Sequence, residues 1–309
     1  MERLYLFFEN LLIEIIYSIV FVANNNPENF YLTVNDHAVS GEQFYLVVND
    51  DYGFLETYPK PSENKLANYY KSEDYISHTD SRRNFFEKLY HAIRHISLNR
   101  KVRLLNSLVT NSKTLLDVGC GTGNFLRAAK KCGWQIYGIE PNEKAREIAN
   151  MKTDTIVLDA LQTETFKEHS FDVISLWHVL EHLPNLHEQL AIFKRLLKPN
   201  GILLVAVPNH KSFDALYYKS NWAAYDVPRH LWHFSRHSIS KLVSKENMFV
   251  CKTRPMWFDA FYVSLLSEKY KTGRMNFIKA FLIGCLSNIK SLYTKEASSL
   301  IYVIKNKTN

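Results

Sequence analysis

The segment Leu115–Leu126, LLDVGCGTGNFL, constrains the fold of this chain more than any other stretch. An apolar run begins at Thr114, the three glycines Gly119, Gly121 and Gly123 follow, and a helical pattern continues to Cys132. A glycine-rich turn between a strand and a helix lets the backbone approach a ligand closely. The segment therefore predicts an α/β protein with a ligand-binding loop at the carboxyl end of its first core strand.

Strand and helix patterns alternate after this loop. Further strands are predicted at Trp134–Ile139, Thr155–Leu158, Phe171–Trp177, Ile202–Val207, Met248–Pro255 and Ser299–Ile304, with helices at Asn142–Met151 and Leu186–Leu197 and a turn at Lys198–Gly201. Such alternation predicts a Rossmann-like, seven-stranded, mostly parallel sheet with an antiparallel last strand and helices on both faces. Ligands of such sheets bind beyond the carboxyl ends of the strands.

The chain divides into two predicted parts. We expect residues 1–79 to hold an apolar helix and a small accessory hairpin region, with strands at Phe30–Val34 and Gln43–Val48 and their turn at Asp50–Gly53. We expect residues 80–309 to form the α/β domain, which opens with a helical run over 80–108. This domain is predicted to contain two additional segments, a cap loop at 209–235 and a helical insert at 257–294 around the apolar helix Phe277–Leu286.

The first 23 residues nearly reach the length of a membrane span, which is about 20 residues. Glu9, Asn10 and Glu14 interrupt the apolar run, and burying carboxylates in lipid is costly. We therefore expect an amphipathic or docked helix, with a peripheral membrane anchor as the alternative.

The charge of the chain indicates its kind of partner, and its cysteine content indicates its cellular compartment. The formal net charge is +7, and from Lys241 onward 12 Lys and Arg face 4 Asp and Glu. This basic tail predicts a solvated surface or an anionic partner, whereas nucleic acid is disfavoured because no basic block is interleaved with aromatics. The four cysteines form no CxxC pair, which favours a reduced, cytoplasmic setting.

Two acids specify the ligand of the loop. A dinucleotide loop would read GxGxxG and rest a pyrophosphate on a helix N-terminus, whereas the spacing here is GxGxG. S-adenosylmethionine (SAM) carries ammonium and sulfonium cations and no phosphate, so Asp117 beside the loop favours SAM. Glu140 falls 17 residues after Gly123, at the end of the next strand, where a carboxylate can hold ribose hydroxyls. The alternative for Glu140 is a helix-capping acid.

With these motifs in order, residues Leu115–Val207 resemble the core of class I SAM-dependent methyltransferases. The resemblance implies S-adenosyl-L-methionine as the cofactor. It implies that the loop meets the methionine and ribose, that Glu140 holds the ribose, and that the residues after the third strand meet the adenine. The implied cofactor-binding residues are Asp117, Gly119, Cys120, Gly121, Gly123, Glu140, Pro141, Asp159, Ala160 and Trp177.

The segment after the fourth strand, His178-Val-Leu-Glu181-His182, supplies a catalytic candidate. It matches an inverted zinc-protease pattern, but that motif belongs inside a helix and this one follows a buried strand. Some methyltransferases acting on catechols or RNA ends hold a divalent ion with an ExxEH-like cluster here. Because His178 replaces the first Glu, we predict no metal site. We take His178 as a candidate general base, since imidazole titrates near neutrality, and Glu181 and His182 as structure at a helix start.

The cap loop is rich in aromatic and cationic side chains. Its segment Asp226–Ser235 reads DVPRHLWHFS and resembles the DxPRHLxHFS segment of a broad group of bacterial methyltransferases. From this loop we take His210 and His230 as further catalytic candidates. The candidate substrate contacts are Tyr218, Trp222 and Arg229, with Arg229 pairing an anionic group. The alternative is a packed loop that satisfies its own polar groups.

Some relatives carry a small zinc module ahead of the core. The corresponding stretch here is VVNDDYGF, where Asn49 and Tyr52 replace cysteines, so we expect a metal-free hairpin. We predict a SAM-dependent methyltransferase whose acceptor is a small molecule, a lipid or a glycan precursor. The two alternatives are a catalytically idle SAM-binding or assembly subunit and a nucleotide-dependent oxidoreductase.

Overall fold

The computed structural model describes residues 29–62, 65, 67–70, 85–109, 113–159 and 165–307. Three predictions concern residues outside these ranges: the apolar helix in the first 23 residues, the start of the helical run over 80–84, and the adenine contact of Ala160. No helix among the described residues combines the length and apolarity that crossing a membrane requires.

Ten strands and eight α-helices are numbered here along the described residues. The strands are β1 Phe30–Asn35, β2 Gln43–Val48, β3 Leu55–Tyr58, β4 Thr114–Val118, β5 Gln135–Ile139, β6 Phe171–Trp177, β7 Leu197–Pro208, β8 Trp232–His233, β9 Met248–Pro255 and β10 Ser299–Asn306. The helices are α1 Phe85–Leu108, α2 Asn124–Lys131, α3 Glu143–Thr153, α4 Leu186–Leu196, α5 Phe213–Tyr218, α6 Arg236–Lys245, α7 Asp259–Thr272 and α8 Phe277–Thr294. Short 3₁₀ turns lie at Ala67–Tyr70, Leu180–His182, Lys219–Asn221 and Ala223–Tyr225.

The central sheet has the strand order β5-β4-β6-β7-β10-β9. Strands β4 to β7 pair in parallel, and β10 runs antiparallel between β7 and β9. The predicted Rossmann-like α/β sheet with an antiparallel last strand is therefore confirmed. The carboxyl ends of β4, β5 and β6 meet at one edge, which is where the glycine loop, Glu140 and His178 lie.

The predicted count of seven strands is wrong, because the described residues give the central sheet six. The third predicted strand, Thr155–Leu158, contributes only one bridge, between Leu158 and Ile139. Asp154 adopts a left-handed conformation at the end of α3, and the exposed Ile156 points away from the sheet, so the chain reaches β5 only at Leu158. The predicted turn at Lys198–Gly201 is also wrong, since these residues lie inside β7.

Helices cover both faces of the sheet, as predicted. One core packs the inward residues of α4 and α6, such as Leu190 and Leu242, on one face, while the other core packs α1 and α2 through Leu105 and Leu126. Strands covered on both faces read as continuous apolar runs, which explains the sequence of β7 from Ile202 to Val207.

A second, antiparallel sheet has the order β1-β2-β3-β8. The first two strands are confirmed, but the turn at Asp50–Gly53 joins β2 to β3 rather than β1 to β2, and β3 is an additional strand. Its partner β8 comes from the predicted cap loop, where Leu55 pairs with His233. In the turn, the Asn49 side chain accepts a hydrogen bond from the Tyr52 amide at 3.0 Å and so closes the hairpin. The division of the chain at residue 80 remains a prediction.

The predicted insert contains two helices, α7 and α8, which pack side by side. The predicted apolar helix Phe277–Leu286 is longer than expected, since α8 continues to Thr294. A third core joins this helical hairpin to the accessory sheet through Trp222, Tyr225, Val263 and Ile283. The insert, the cap loop and the accessory sheet therefore form one layer beside the central sheet.

Candidate active site

The turn after β4 places its three glycines in left-handed conformations, with φ between +54° and +73°. Side chains are excluded at two of them: a Cβ on Gly119 would lie 2.5 Å from Val179 Cγ2, and one on Gly123 would lie 3.0 Å from the α3 backbone at Ala149. A Cβ on Gly121 would meet no atom within 4 Å. The backbone over Gly121 therefore borders open space at the carboxyl edge of the sheet, where a ligand can approach closely.

Glu140 closes this turn from the end of β5. Its carboxylate accepts hydrogen bonds from the amide of Gly121 at 2.8 Å and from the amide of Asn142 at 2.9 Å. Burial raises the pKa of Glu140, and these two amides oppose the rise. The acid predicted to hold the ribose is thus nearly buried, on the floor of the open space over Gly121.

Asp117 lies at the end of β4 and is almost fully buried. Its carboxylate accepts one hydrogen bond from Ser175 Oγ at 2.6 Å. Burial raises its pKa to about 7, although Ser175 and the nearby Lys101 act in the opposite direction. A carboxylate kept in so unfavourable a setting is typical of a site that receives a cation.

The other predicted cofactor residues surround this edge. The exposed carboxylate of Asp159 lies 3.3 Å from Arg146 Nη1, which also donates to the Pro141 carbonyl. Cys120 is buried, and burial raises the pKa of its thiol. Trp177 stacks edge-on against Phe125, and its buried indole N–H has no acceptor among the described residues. These cofactor assignments stay predictions, although the buried donor, the acids and the open turn fit SAM.

His178 follows β6 with φ +59°, a strained conformation for a residue that is not glycine. Its imidazole lies between two carboxylates, with Nε2 3.1 Å from Asp259 Oδ2 and Nδ1 3.4 Å from Glu181 Oε1. Burial favours a lower pKa for His178, but the two carboxylates outweigh it and raise the pKa to about 9. The candidate base is therefore mostly protonated at neutral pH.

Two neighbouring histidines face the same carboxylate. The ligand atoms of Glu181, His182 and His230 lie within 4.8 Å of one another, which is the one metal-capable group found among the described residues. His182 Nδ1 contacts the Arg229 carbonyl and His230 Nδ1 contacts the Ala224 carbonyl. Burial raises the pKa of Glu181, but His178, with His230 and His182, outweighs this effect and lowers it. The absence of a metal stays a prediction, tested below.

The predicted substrate contacts are scattered. Arg229 pairs through Nε and Nη2 with Asp226 of its own loop and donates from Nη1 to the Tyr69 carbonyl at 3.1 Å. Trp222 is buried and donates to Asp214 at 2.8 Å, and Tyr218 is buried in the same third core. Of the candidate residues taken from the cap loop, Arg229 and His230 lie beside Glu181 and His182, whereas Tyr218, Trp222 and His210 contact other residues, and the substrate roles stay predictions.

His210 lies apart from the other histidines. It is buried, and its Nδ1 contacts the Phe234 carbonyl at 2.9 Å. Burial lowers its pKa to about 4, so its imidazole is neutral. Its catalytic role stays a prediction, and its ring meets that of Tyr31 of the accessory sheet edge-on, with 5.9 Å between ring centroids.

Two residues that the sequence analysis did not select also lie at the site. Asp259, at the start of α7, pairs with His178, and Lys101 of α1 places its ammonium 4.3 Å above the Trp177 ring. Burial lowers the pKa of Lys101 although Asp259 and Asp117 oppose this. Neither residue stands in a motif, and each reaches the site from a helix distant in sequence. In the sequence, Asp259 stands out only by lying a few residues after the predicted sixth strand, Met248–Pro255.

Lys101 and Asp259 border a cleft of about 520 Å³ between α1 and the β9–α7 connection. Three further cations, Arg100, Arg103 and Arg254, line it, together with the apolar side chains of Leu104, Met256, Trp257, Phe258 and Ile301. None of these three arginines forms an ion pair with an acid among the described residues. The cleft is therefore apolar, cationic and open beside His178.

Comparison with known proteins agrees with this geometry. A family described as "Methyltransferase domain" matches residues 88–250, which is more than half of the chain. The ubiquinone biosynthesis O-methyltransferase of Bradyrhizobium diazoefficiens is 29% identical over 143 residues, covering 43% of this chain and 56% of that protein. The enzyme of the same name from Actinobacillus pleuropneumoniae is 36% identical over 108 residues, covering 31% and 46%.

The chain spans about half the length of the curated relatives it matches. Among solved structures, a SAM-dependent methyltransferase from Archaeoglobus fulgidus superposes with a TM-score of 0.49 and 16% identity, covering 72% of this chain and all of that one. The matched family region runs from α1 to β9 and contains the glycine turn, both acids and His178. Since that region is more than half of the chain, this protein belongs to the methyltransferase-domain family.

Proposed function

We propose that this chain transfers a methyl group from SAM to an oxygen, nitrogen or carbon nucleophile of a small-molecule acceptor. The observation that carries the proposal is the open space over Gly121, bordered by the buried carboxylates of Asp117 and Glu140. A ligand with a ribose and a cationic end satisfies both acids, whereas a pyrophosphate would meet two negative charges.

The residues of this chain contribute mainly position and charge. SAM, when bound, supplies an electrophilic methyl group on a sulfonium. The Asp117 carboxylate offsets a cation, the open backbone over Gly121 lets the ligand approach closely, and the Trp177 N–H offers an unused donor. His178 holds or accepts the proton of the nucleophile at the neighbouring carboxyl edge. Methyl transfer depends largely on proximity and alignment, so few catalytic groups are required.

The cleft beside His178 supports an acceptor with an apolar body and an anionic group. Its apolar lining favours a lipid-like molecule over a glycan, and its arginines favour a carboxylate or phosphate. The two relatives described above are named O-methyltransferases of ubiquinone biosynthesis, which supports an oxygen nucleophile on an apolar molecule. Nucleic acid remains the less favoured acceptor.

Two alternatives predict different ligand binding. An oxidoreductase would bind NAD, and an idle SAM-binding subunit would bind SAM without turnover. Isothermal titration of the full chain is expected to give micromolar SAM binding and no NAD binding, because the turn is GxGxG and its borders are acidic. NAD binding without SAM binding would contradict the proposal, and S-adenosylhomocysteine serves as the positive control for the cofactor site.

Chelation is expected to leave methyl transfer unchanged. The reason is that the imidazole of His178 lies 3.4 Å from Glu181 and, when protonated, offsets part of its charge, so a cation at the group of Glu181, His182 and His230 would have to compete with it for this carboxylate. The measurement is turnover after exhaustive dialysis against EDTA, with untreated protein as the control. Activity that is lost on dialysis and restored by a divalent ion would establish a metal site instead.

A further inference from the structure

The outward side of α8 carries large apolar side chains. We define the outer face of α8 by Ile278, Phe281, Leu282, Leu286, Ile289, Leu292 and Tyr293, whose exposed fractions run from 44% to 84%. These positions recur at helical spacing along all five turns, and the charged residues between them in the sequence, Lys279 and Lys290, are both cationic. Isolated exposed apolar residues are ordinary, but a contiguous apolar face of this length marks an interaction surface.

The inward side of α8 instead carries mostly small residues, several of them serines. Its buried residues include Ala280, Gly284, Ser287 and Ser291, with Ile283 as the one large side chain. A Cβ on Gly284 would lie 2.6 Å from Phe261 Cδ1 of α7, and Ser287 Oγ donates to the buried Asp214 at 2.6 Å. These contacts fix the rotation of α8, so the helix cannot turn to bury its apolar side. A surface helix ordinarily has the reverse arrangement.

The exposed charges around this face are positive. Lys269, Lys271 and Arg274 lie near the turn between α7 and α8, and Lys290 and Lys295 lie towards the other end of α8. Within the described part of the chain, none of these five pairs with an acid. The acids of the hairpin are engaged elsewhere. Asp259 contacts His178, and the fully buried Glu268 lies 3.2 Å from Lys279.

We propose that the outer face of α8 docks on an anionic lipid bilayer, lying in the plane of the membrane. An apolar face flanked by lysine and arginine is the arrangement with which interfacial helices enter the headgroup boundary. Each nearby cation adds attraction to acidic headgroups. A second copy of this chain is disfavoured as the occupant, because a symmetric contact would bring both sets of cations together.

The docking surface is joined to the site proposed above. Phe281 of the outer face stacks on Phe261 at 5.5 Å between ring centroids, and Phe261 follows Asp259 by two residues in α7. Asp259 in turn contacts His178 and borders the cationic cleft. Docking would thus hold the cleft near the bilayer, where an apolar acceptor with an anionic group would reside. This consequence rests on the proposed function, whereas the docking itself does not.

Vesicle sedimentation with the full chain tests the docking. We expect binding to vesicles of phosphatidylcholine with phosphatidylglycerol, weaker binding to phosphatidylcholine alone, and a decline with salt because the headgroup attraction is screened. The double variant Ile278→Asp with Ile289→Asp is expected to lose at least about tenfold of its vesicle affinity, since charge is placed in the apolar boundary.

The matched control is the double variant Met151→Asp with Ile156→Asp. Ile156 is 78% exposed and Ile278 is 77% exposed, so both variants place acids on solvent-facing apolar positions, but only one changes the outer face of α8. The control is expected to bind vesicles like the wild type. SAM titration and thermal unfolding of both variants verify folding and separate a failure of docking from a failure of the proposed function.

Two results would overturn the docking proposal. One is equal vesicle binding by the outer-face variant and its control. The other is a wild-type dimer in sedimentation equilibrium that the outer-face variant abolishes, without vesicle binding by either, because the second copy would then be the occupant. Vesicle binding without SAM binding would leave the docking intact and refute the proposed methyl transfer.

Discussion

Replacing Asp117 with asparagine is expected to weaken SAM binding about 100-fold, or about 2.7 kcal/mol. The carboxylate is nearly buried, and among the described residues Ser175 donates a hydrogen bond to it and Lys101 offsets only part of the cost of burial, so its charge is poorly compensated until a cationic ligand arrives. Asparagine keeps the shape and removes the charge. For the same reason, wild-type SAM affinity is expected to fall as the pH drops below about 7, where the Asp117 carboxyl takes up a proton. Isothermal titration over pH 6 to 8 measures both effects.

The same substitution is expected to stabilise the protein in the absence of SAM. Burial raises the pKa of Asp117 from 3.8 to about 7, so its contribution to stability is full below pH 3.8 and lost as the pH rises through 7. At pH 8 the wild type therefore holds an unfavourable charge that the Asp117→Asn variant lacks. Thermal unfolding at pH 8 should show a higher Tm for the variant.

Asp154→Asn is the control for both measurements. This residue is exposed at the end of α3 in a left-handed conformation that asparagine tolerates well, so neither Tm nor SAM affinity should change. Weaker SAM binding together with a lower Tm in Asp117→Asn would indicate a structural defect. Unchanged SAM affinity would remove Asp117 from the cofactor site.

Replacing His178 with alanine is expected to lower turnover about 100-fold to 1000-fold while SAM affinity changes less than about twofold. The imidazole lies between Asp259 and Glu181, and its two nitrogens contact these carboxylates, beside the cationic cleft. With a pKa of about 9, the neutral form that accepts a proton is scarce at pH 7. Turnover of the wild type should therefore rise nearly tenfold per pH unit and level off near pH 9.

The Asp259→Asn variant tests which carboxylate sets the pH at which turnover rises. Because Asp259 raises the pKa of His178, its loss should shift the rise of turnover to lower pH. Glu246→Gln, whose carboxylate instead contacts the distant His187, is the matched control and should leave the profile unchanged. Turnover that is flat below pH 9 and falls above it would assign His178 a cationic, positioning role instead of base catalysis.

The glycine turn and most strands of the central sheet were predictable because the residues within each segment determine its conformation. Gly119 and Gly123 have no room for a side chain, and β4 and β6 begin and end where their mostly apolar runs do. Features that depend on partners distant in the chain were not predictable from local sequence. The four-residue strand β3 pairs with β2 across the local turn and, on its other side, with β8, about 175 residues later, and no periodicity in Leu55–Tyr58 signals that second partner.

The acceptor side was harder to predict for the same reason. His178 was selected from its place after β6, but its pKa depends on Asp259, which arrives from α7. Lys101 belongs to a helix that precedes the glycine loop, and nothing in its local sequence marks it as part of the site. Similarly, the apolar character of α8 was evident in the sequence, whereas the outward direction of that apolar face is set by Gly284 and Ser287 packing inward.

The most direct test of methyl transfer uses SAM with a tritium-labelled methyl group and the full chain. The acceptors are lipids, quinones, glycans and RNA, fractionated separately, with His178→Ala as the control protein. We expect label to appear with the wild type in an apolar, anionic fraction, and to fall to background with the variant. If SAM binds but no fraction acquires label, the chain is a SAM-binding subunit and the central claim is contradicted.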